Sequence, residues 1–191
     1  KVILSHDPHV YGIEVENTTL LQLFQKTIHE KDPVPSLQEL LLAAKAQNTT
    51  HPVIEIKDSQ KGLARTLQLT DSVVSIVHRM KMQGYVEYIS FNYEVLKRIR
   101  QLDPTARTLY LMEGKKELQE LVDDRISGID YSYYAYRQDK DLTPKAKNAG
   151  LLTNVWTVNN AEELQQYYLS GVDYITTDEP ELLLKIIDSL R

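Results

Sequence analysis

The sequence predicts an α/β protein, a TIM-type (β/α)8 barrel lacking its first one or two strands in the chain at hand. Three observations predict it. Short β-branched runs alternate with single helical stretches, which implies right-handed crossovers and a parallel sheet. Most strand candidates are continuous apolar runs, as strands buried on both faces should be. The 7 glycines are isolated from one another, and neither G-x-G-x-x-G nor G-x-x-x-x-G-K occurs. An open dinucleotide-binding sheet would need such a loop, so the barrel is favoured.

The candidate strands are Val2 to Ser5, Val53 to Ile56, Val86 to Phe91, Thr108 to Met112, Gly128 to Tyr131, Leu152 to Thr157 and Tyr174 to Thr177. Between them lie helices with their own start and stop signals. Leu20 to Phe24 reads as an early helix. Ser36-Leu37-Gln38-Glu39 has capping-box spacing and opens the run to Ala46. Asp71 or Ser72 is expected to cap Val73 to Met82. Asn92 should cap Tyr93 to Leu102, with Asp103-Pro104 as the stop. Thr143-Pro144 reads as a cap followed by proline at the first helical position. Asn160 should cap Ala161 to Ser170, with Gly171 past the end. Asp178 is expected to cap the last helix, Glu181 to Leu190, across Pro180. No linker or low-complexity segment interrupts the pattern, so residues 1–191 read as one domain.

Composition narrows the function classes. Of 191 residues, 42% are hydrophobic and 26% charged, enough to bury a core. The formal charge of -5 argues against nucleic acid as a partner. Cysteine is absent, which excludes disulfides, thiolate metal sites and a cysteine nucleophile. No stretch approaches the roughly 20 apolar residues of a membrane helix, so stable membrane insertion is not expected. No secretory signal is visible, and the compartment and oligomeric state are left unassigned. Because Lys1 runs at once into Val2-Ile3-Leu4-Ser5, further residues are expected upstream.

Barrel chemistry sits at the C-terminal ends of the strands. His6, in Ser5-His6-Asp7-Pro8, is a proton-transfer candidate or an exposed turn residue. In Ile54-Glu55-Ile56-Lys57, alternation puts Glu55 and Lys57 on one side of the strand. Together they would suit a hard cation beside a phosphate, or else form a structural ion pair. Trp156, the single tryptophan, is a pocket wall with a free indole N–H or an ordinary core residue. Phe91 and Met112 are core or pocket wall. Tyr131 to Tyr136 is an aromatic strand exit that lines a pocket or covers the mouth. Glu14, Glu16 and Asn17 read as solvated or as helix-starting residues. His9, His29, His51 and His78 carry no motif. With no H-E-x-x-H and no G-x-S-x-G, zinc peptidase and serine hydrolase readings have no support.

The order Ser5-His6-Asp7-Pro8, Pro35-Ser36-Leu37-Gln38-Glu39-Leu40-Leu41, Glu55-Ile56-Lys57, Ser90-Phe91, Trp156-Thr157-Val158-Asn159 and Gly171 through Pro180 resembles the glycerophosphodiester phosphodiesterase family. The resemblance covers nearly the whole chain. It implies hydrolysis of small-molecule glycerophosphodiesters to glycerol 3-phosphate and an alcohol, with a divalent cation, Mg or Ca, as cofactor. It implies that His6 is the second catalytic histidine, Glu55 a metal-binding glutamate and Lys57 the lysine that meets the phosphate. Trp156, Phe91 and Met112 are implied as walls of the substrate pocket. The family's His-Arg-Gly, Pro-Glu-Asn-Thr and Glu-x-Asp motifs do not occur in place, and Glu16-Asn17-Thr18 follows the His-Asp motif instead of preceding it. The alternatives are an inert barrel that binds a phosphorylated ligand or a protein partner, and a related phospholipase acting on lipid phosphodiesters.

Overall fold

The structure, a computed structural model, describes residues 1–27, 34–47, 49–113 and 116–191; His29 lies outside them. In chain order the elements are β1 (His9–Val10), β2 (Ile13–Glu14), α1 (Leu20–Thr27), α2 (Leu37–Lys45), β3 (Val53–Glu55), α3 (Leu63–Arg79), β4 (Glu87–Ser90), α4 (Tyr93–Leu102), β5 (Arg107–Met112) and α5 (Leu118–Asp123). They continue with β6 (Gly128–Ser132), α6 (Tyr133–Gln138), α7 (Leu142–Asn148), β7 (Leu152–Trp156), α8 (Ala161–Leu169), β8 (Tyr174–Ile175) and α9 (Pro180–Ser189).

Strands β3 to β8 form a 6-stranded sheet in sequential order, every pair parallel. The sheet curls. The Tyr174 hydroxyl in β8 donates to Glu87 Oε1 in β4 at 2.8 Å, although β5, β6 and β7 lie between them in sheet order. Such a bond is possible only across the concave face. Arg107 Nη1 joins the same oxygen at 3.1 Å and compensates a carboxylate that burial would otherwise penalise. The convex face packs on helices: Tyr110 meets Tyr93 of α4 and Tyr131 of β6 edge to face, at 5.0 and 6.4 Å between ring centres. Gly128 allows the closest approach of β6 to β7, because a Cβ there would lie 2.5 Å from the Leu152 carbonyl oxygen.

Most predicted signals work as read. Ser36 Oγ accepts the Glu39 N–H at 3.3 Å, and the Glu39 carboxylate accepts the Ser36 N–H at 2.7 Å. Ser36→Ala should therefore lower stability by about 1 kcal/mol, measured as an earlier urea midpoint with an unchanged slope. Asn92 and Asn160 cap α4 and α8 through their side chains, and Gly171 has φ of 75°.

Several expectations are corrected. Val2 to Ser5 is no strand of the parallel sheet: Ile3 bridges Ser36 antiparallel, with Leu4 N donating to Pro35 O at 2.9 Å. Helix α3 starts at Leu63, not near Val73. Asp71 is not its cap, because Arg98 of α4 holds both its oxygens at 2.7 and 3.0 Å. The polar run ahead of it stays helical partly because the Thr70 hydroxyl turns back onto the Thr66 carbonyl, at 2.9 Å. Helix α7 begins at Leu142, so Thr143 lies inside it and Pro144 falls in the first turn, where no N–H is needed. Asp178 does not cap α9; its carboxylate accepts Asn159 Nδ2 at 2.8 Å and clips the loops after β7 and β8 together. The aromatic exit is α6, with Tyr131 and Tyr136 buried. The β1–β2 hairpin and α5 had no prediction. The hairpin turns through Tyr11 and Gly12, both left-handed at φ 50° and 75°.

Candidate functional site

Strand β3 ends at Glu55, and the chain carries on through Ile56 to Lys57 at the C-terminal mouth of the sheet. The Ile56 N–H donates to Ile89 O at 3.0 Å, so pairing with β4 extends one residue beyond the strand. Alternation leaves Ile54 and Ile56 buried and turns Glu55 and Lys57 to the other side. There Lys57 Nζ lies 3.0 Å from Glu55 Oε1. Both keep contact with solvent, their side chains being 41% and 25% exposed. An ion pair so placed is open to competition from an incoming anion for the lysine and an incoming cation for the glutamate.

The pair lines a cleft of about 590 Å³. The segment from Val2 to Pro8, which includes His6, also lines it. The structure thus brings His6, Glu55 and Lys57 to one cleft. His6 is held only loosely: its Nδ1 meets Asp7 Oδ1 at 2.9 Å, and the ring is 86% exposed.

Phe91, the first residue past β4, and Trp156, the last residue of β7, meet edge to face, 5.8 Å between ring centres. They stand on the same C-terminal rim but do not line that cleft. The indole N–H is not free for a ligand, as one reading of Trp156 had it: it donates to the Asp130 carbonyl at 2.9 Å. Met112 falls elsewhere. It pairs in register with Tyr131 and shares the helix-facing side of β5 with Tyr110, so alternation takes it away from the mouth. Of the histidines outside the site, His78 Nε2 meets the buried Asp103 at 2.9 Å and His51 packs on Tyr85.

Two residues of this region had no site role in the sequence reading: Asp130 was not named, and Glu16 read only as solvated or helix-starting. Asp130, on the concave side of β6, is 1% exposed. Burial, then the charge of Glu55 across the curled sheet, pushes its carboxyl up to about 7; a hydrogen bond from Asn154 pulls the other way. Asn154 Nδ2 donates to Asp130 Oδ1 at 2.8 Å and to Thr176 Oγ1 at 2.9 Å. The signal was available: Asp130 is a carboxylate inside an apolar strand, as Glu55 is. Glu16 gave no such signal. Its carboxylate reaches the loop after β3, with partners 43 and 44 residues away in sequence.

The donors here suit a hard divalent cation. Glu55 is a partly exposed carboxylate at the end of β3, and a second carboxylate inside the sheet feels its charge. Among the described residues no group of three or more His, Cys, Asp or Glu is close enough to hold a metal. Glu55 is thus one ligand candidate and not a complete set.

A curled parallel sheet with a charge-paired cleft at the C-terminal end of β3, its edge strand, is an α/β barrel protein with a candidate site at the strand end where barrels carry their chemistry. Comparison with known proteins narrows the class. The model of the Glycerophosphoryl diester phosphodiesterase family matches residues 1–182, and the chain belongs to that family. A glycerophosphodiester phosphodiesterase structure from Parabacteroides distasonis is 28% identical with a TM-score of 0.89, over 98% of this chain and 78% of that one. The glycerophosphodiester phosphodiesterase of Bacillus subtilis is 25% identical over 158 residues, 80% of this chain and 54% of the relative. The chain spans about half the length of the curated relatives it matches. An Oleispira antarctica phosphodiesterase solved with its product sn-glycerol-3-phosphate shares the fold, with a TM-score of 0.77 at 17% identity over 97% of this chain and 79% of that one.

Proposed function

We propose that the protein carrying this chain hydrolyses glycerophosphodiesters to glycerol 3-phosphate and an alcohol, with residues 1–191 belonging to one catalytic barrel domain whose first strands lie outside them. The observation that carries the reading is the meeting of His6, Glu55 and Lys57 in one cleft beside the C-terminal end of β3. Family membership and the product bound to the Oleispira relative support the substrate class.

Enzymes of this family generally depend on a divalent metal. Glu55 would hold the cation from one side. When bound, the cation supplies positive charge against the phosphate oxygens and acidifies an attacking hydroxyl or water. Lys57 turns from Glu55 to a non-bridging phosphate oxygen, where its fixed charge offsets the negative charge that grows in the transition state. Water adds an OH to phosphorus as the bond from phosphorus to the alcohol oxygen breaks, and the proton that water gives up passes to bulk solvent, from which His6 is reprotonated. His6, protonated, gives its proton to that leaving oxygen. The aromatic edge of Phe91 and Trp156 forms an apolar rim for the organic part of the substrate.

The test is a panel of glycerophosphocholine, -ethanolamine, -glycerol and -inositol on the complete protein, with and without a chelator. Glycerol 3-phosphate should be released from at least one diester, stop on chelation and return with Mg or Ca. Release from none of them, under any of these conditions, overturns the reading.

A further inference from the structure

We propose that Glu16 is a positioning residue: it clasps the segment bearing His6 to the loop that leaves Lys57, and so sets the distance between the two walls of the cleft. This rests on the diesterase reading above.

The need for such a clasp follows from geometry. Glu55 is placed by strand pairing, which is rigid, and Lys57 directly follows Ile56, whose N–H donates to Ile89 O at 3.0 Å and whose carbonyl accepts the Ser90 hydroxyl at 2.7 Å. His6 is not anchored in that way. It lies on an irregular segment, its ring is exposed, and its side-chain hydrogen bond is to its own neighbour Asp7. On the upstream side the segment is anchored by Leu4 N to Pro35 O at 2.9 Å. Downstream of His6 the chain folds into the β1–β2 hairpin, whose base is closed by Val15 N to Pro8 O at 3.0 Å. The hairpin makes that stretch one small unit, so whatever holds its base also holds His6.

Glu16 holds the base. Its Oε1 accepts the Ser59 hydroxyl at 2.5 Å, and its Oε2 accepts the Gln60 N–H at 2.9 Å. Its main-chain carbonyl accepts Lys61 Nζ at 2.8 Å. All three donors belong to the loop that follows Lys57. That loop is fixed in turn: the Ser59 N–H donates to Thr66 Oγ1 of α3 at 2.9 Å, and the Lys61 N–H donates to Ser59 Oγ at 3.0 Å. Ser59 is buried, which strengthens its bond to a carboxylate. Two acceptor atoms on adjacent donors define an orientation as well as a distance. Glu16 and Ser59 themselves line the cleft, as His6 and Lys57 do. A residue type that reads as a solvated glutamate thus ties one wall of the site to the other.

The experiment compares wild type, Glu16→Ala, Glu16→Gln and Ser59→Ala in the complete protein, each also in a His6→Ala background. Misplacement of a catalytic group by about 1 Å can cost roughly 100-fold. Glu16→Ala should lower kcat at least tenfold with KM changed less than about threefold, since Lys57 and Glu55 stay in place. Glu16→Gln, which keeps one acceptor oxygen, should recover part of the loss. In the His6→Ala background, Glu16→Ala should cost almost nothing further, because its effect passes through His6. Hydrogen exchange should quicken together at residues 5–18 and 58–62 in both Glu16→Ala and Ser59→Ala. A full additional loss in the His6→Ala background, or a loss confined to KM, overturns the positioning role. Unchanged exchange at residues 5–18 in Glu16→Ala overturns the clasp whatever the reaction is. A wild-type protein inactive on every diester removes the functional reading, and the kinetic role of Glu16 with it.

Discussion

Glu55→Ala and His6→Ala in the complete protein are each expected to lower the release of glycerol 3-phosphate by about 10² to 10⁴-fold. The two losses should differ in kind. His6 is exposed and loosely held, so its removal leaves the cleft intact and takes away only proton transfer. Substrate should still bind, KM should change little, and the fall should be smallest for diesters with the most acidic leaving alcohol, which need the proton least. Removing the Glu55 carboxylate frees Lys57, whose Nζ now lies 3.0 Å from it, and deletes an oxygen donor for the cation. More metal should then be needed for half-maximal rate. Initial rates across a metal titration, with two leaving groups, separate the cases. Wild-type rates for both variants would leave the cleft without a function.

The second large effect concerns stability. Asp130→Asn should stabilise the protein at pH 8 and make little difference near pH 4. The folded state holds the Asp130 carboxyl at about 7 against an ordinary 3.8, mainly through burial. A raised carboxyl binds its proton more tightly folded than unfolded. Its contribution is therefore at its most favourable below pH 3.8 and is lost as pH rises towards 7. The gap from 3.8 to about 7 corresponds to at most about 4 kcal/mol at pH 8. Asparagine keeps an oxygen to accept Asn154 Nδ2 and carries no charge to desolvate. The expected result is a rise in unfolding temperature of several degrees at pH 8, shrinking toward zero at pH 4. Glu55→Gln should recover a smaller part of the same gain, because the charge of Glu55 is the second cause of the shift. An Asp130→Asn protein that melts no higher than wild type at pH 8 would contradict this account.

Both effects bear on how much was legible beforehand. The alternation of apolar runs with capped helices is a local property, and the parallel order follows from it by chain geometry alone. So does the pairing of Glu55 with Lys57, since residues two apart on a strand share a side whatever surrounds them. The Ser36 box and the Asn92 and Asn160 caps were legible for the same reason: donor and acceptor lie within three residues. Errors came where distant partners replace local ones. Asp71 looks like a cap until Arg98 arrives from the next helix, and Val2 to Ser5 looks like a sheet strand until Ser36 pairs with it antiparallel.

Met112 and Phe91 make the contrast within one residue class. Each is a large apolar side chain at the end of a strand. Their roles separate only with sheet register, which sets Met112 opposite Tyr131, and with curl, which carries Phe91 to Trp156. Asp130 and Glu16 depend wholly on such closure. A carboxylate in an apolar strand can be read from the chain, but the Glu55 charge that it feels comes from another strand across the concave face. By itself the sequence determined the architecture, the strand that bears the Glu55–Lys57 ion pair and the helix caps, because these rest on interactions a few residues long. Only the tertiary structure decided which wall faces His6, what Asp130 costs and what Glu16 holds. Those depend on contacts between segments some forty to ninety residues apart, and nothing in local spacing encodes such distances.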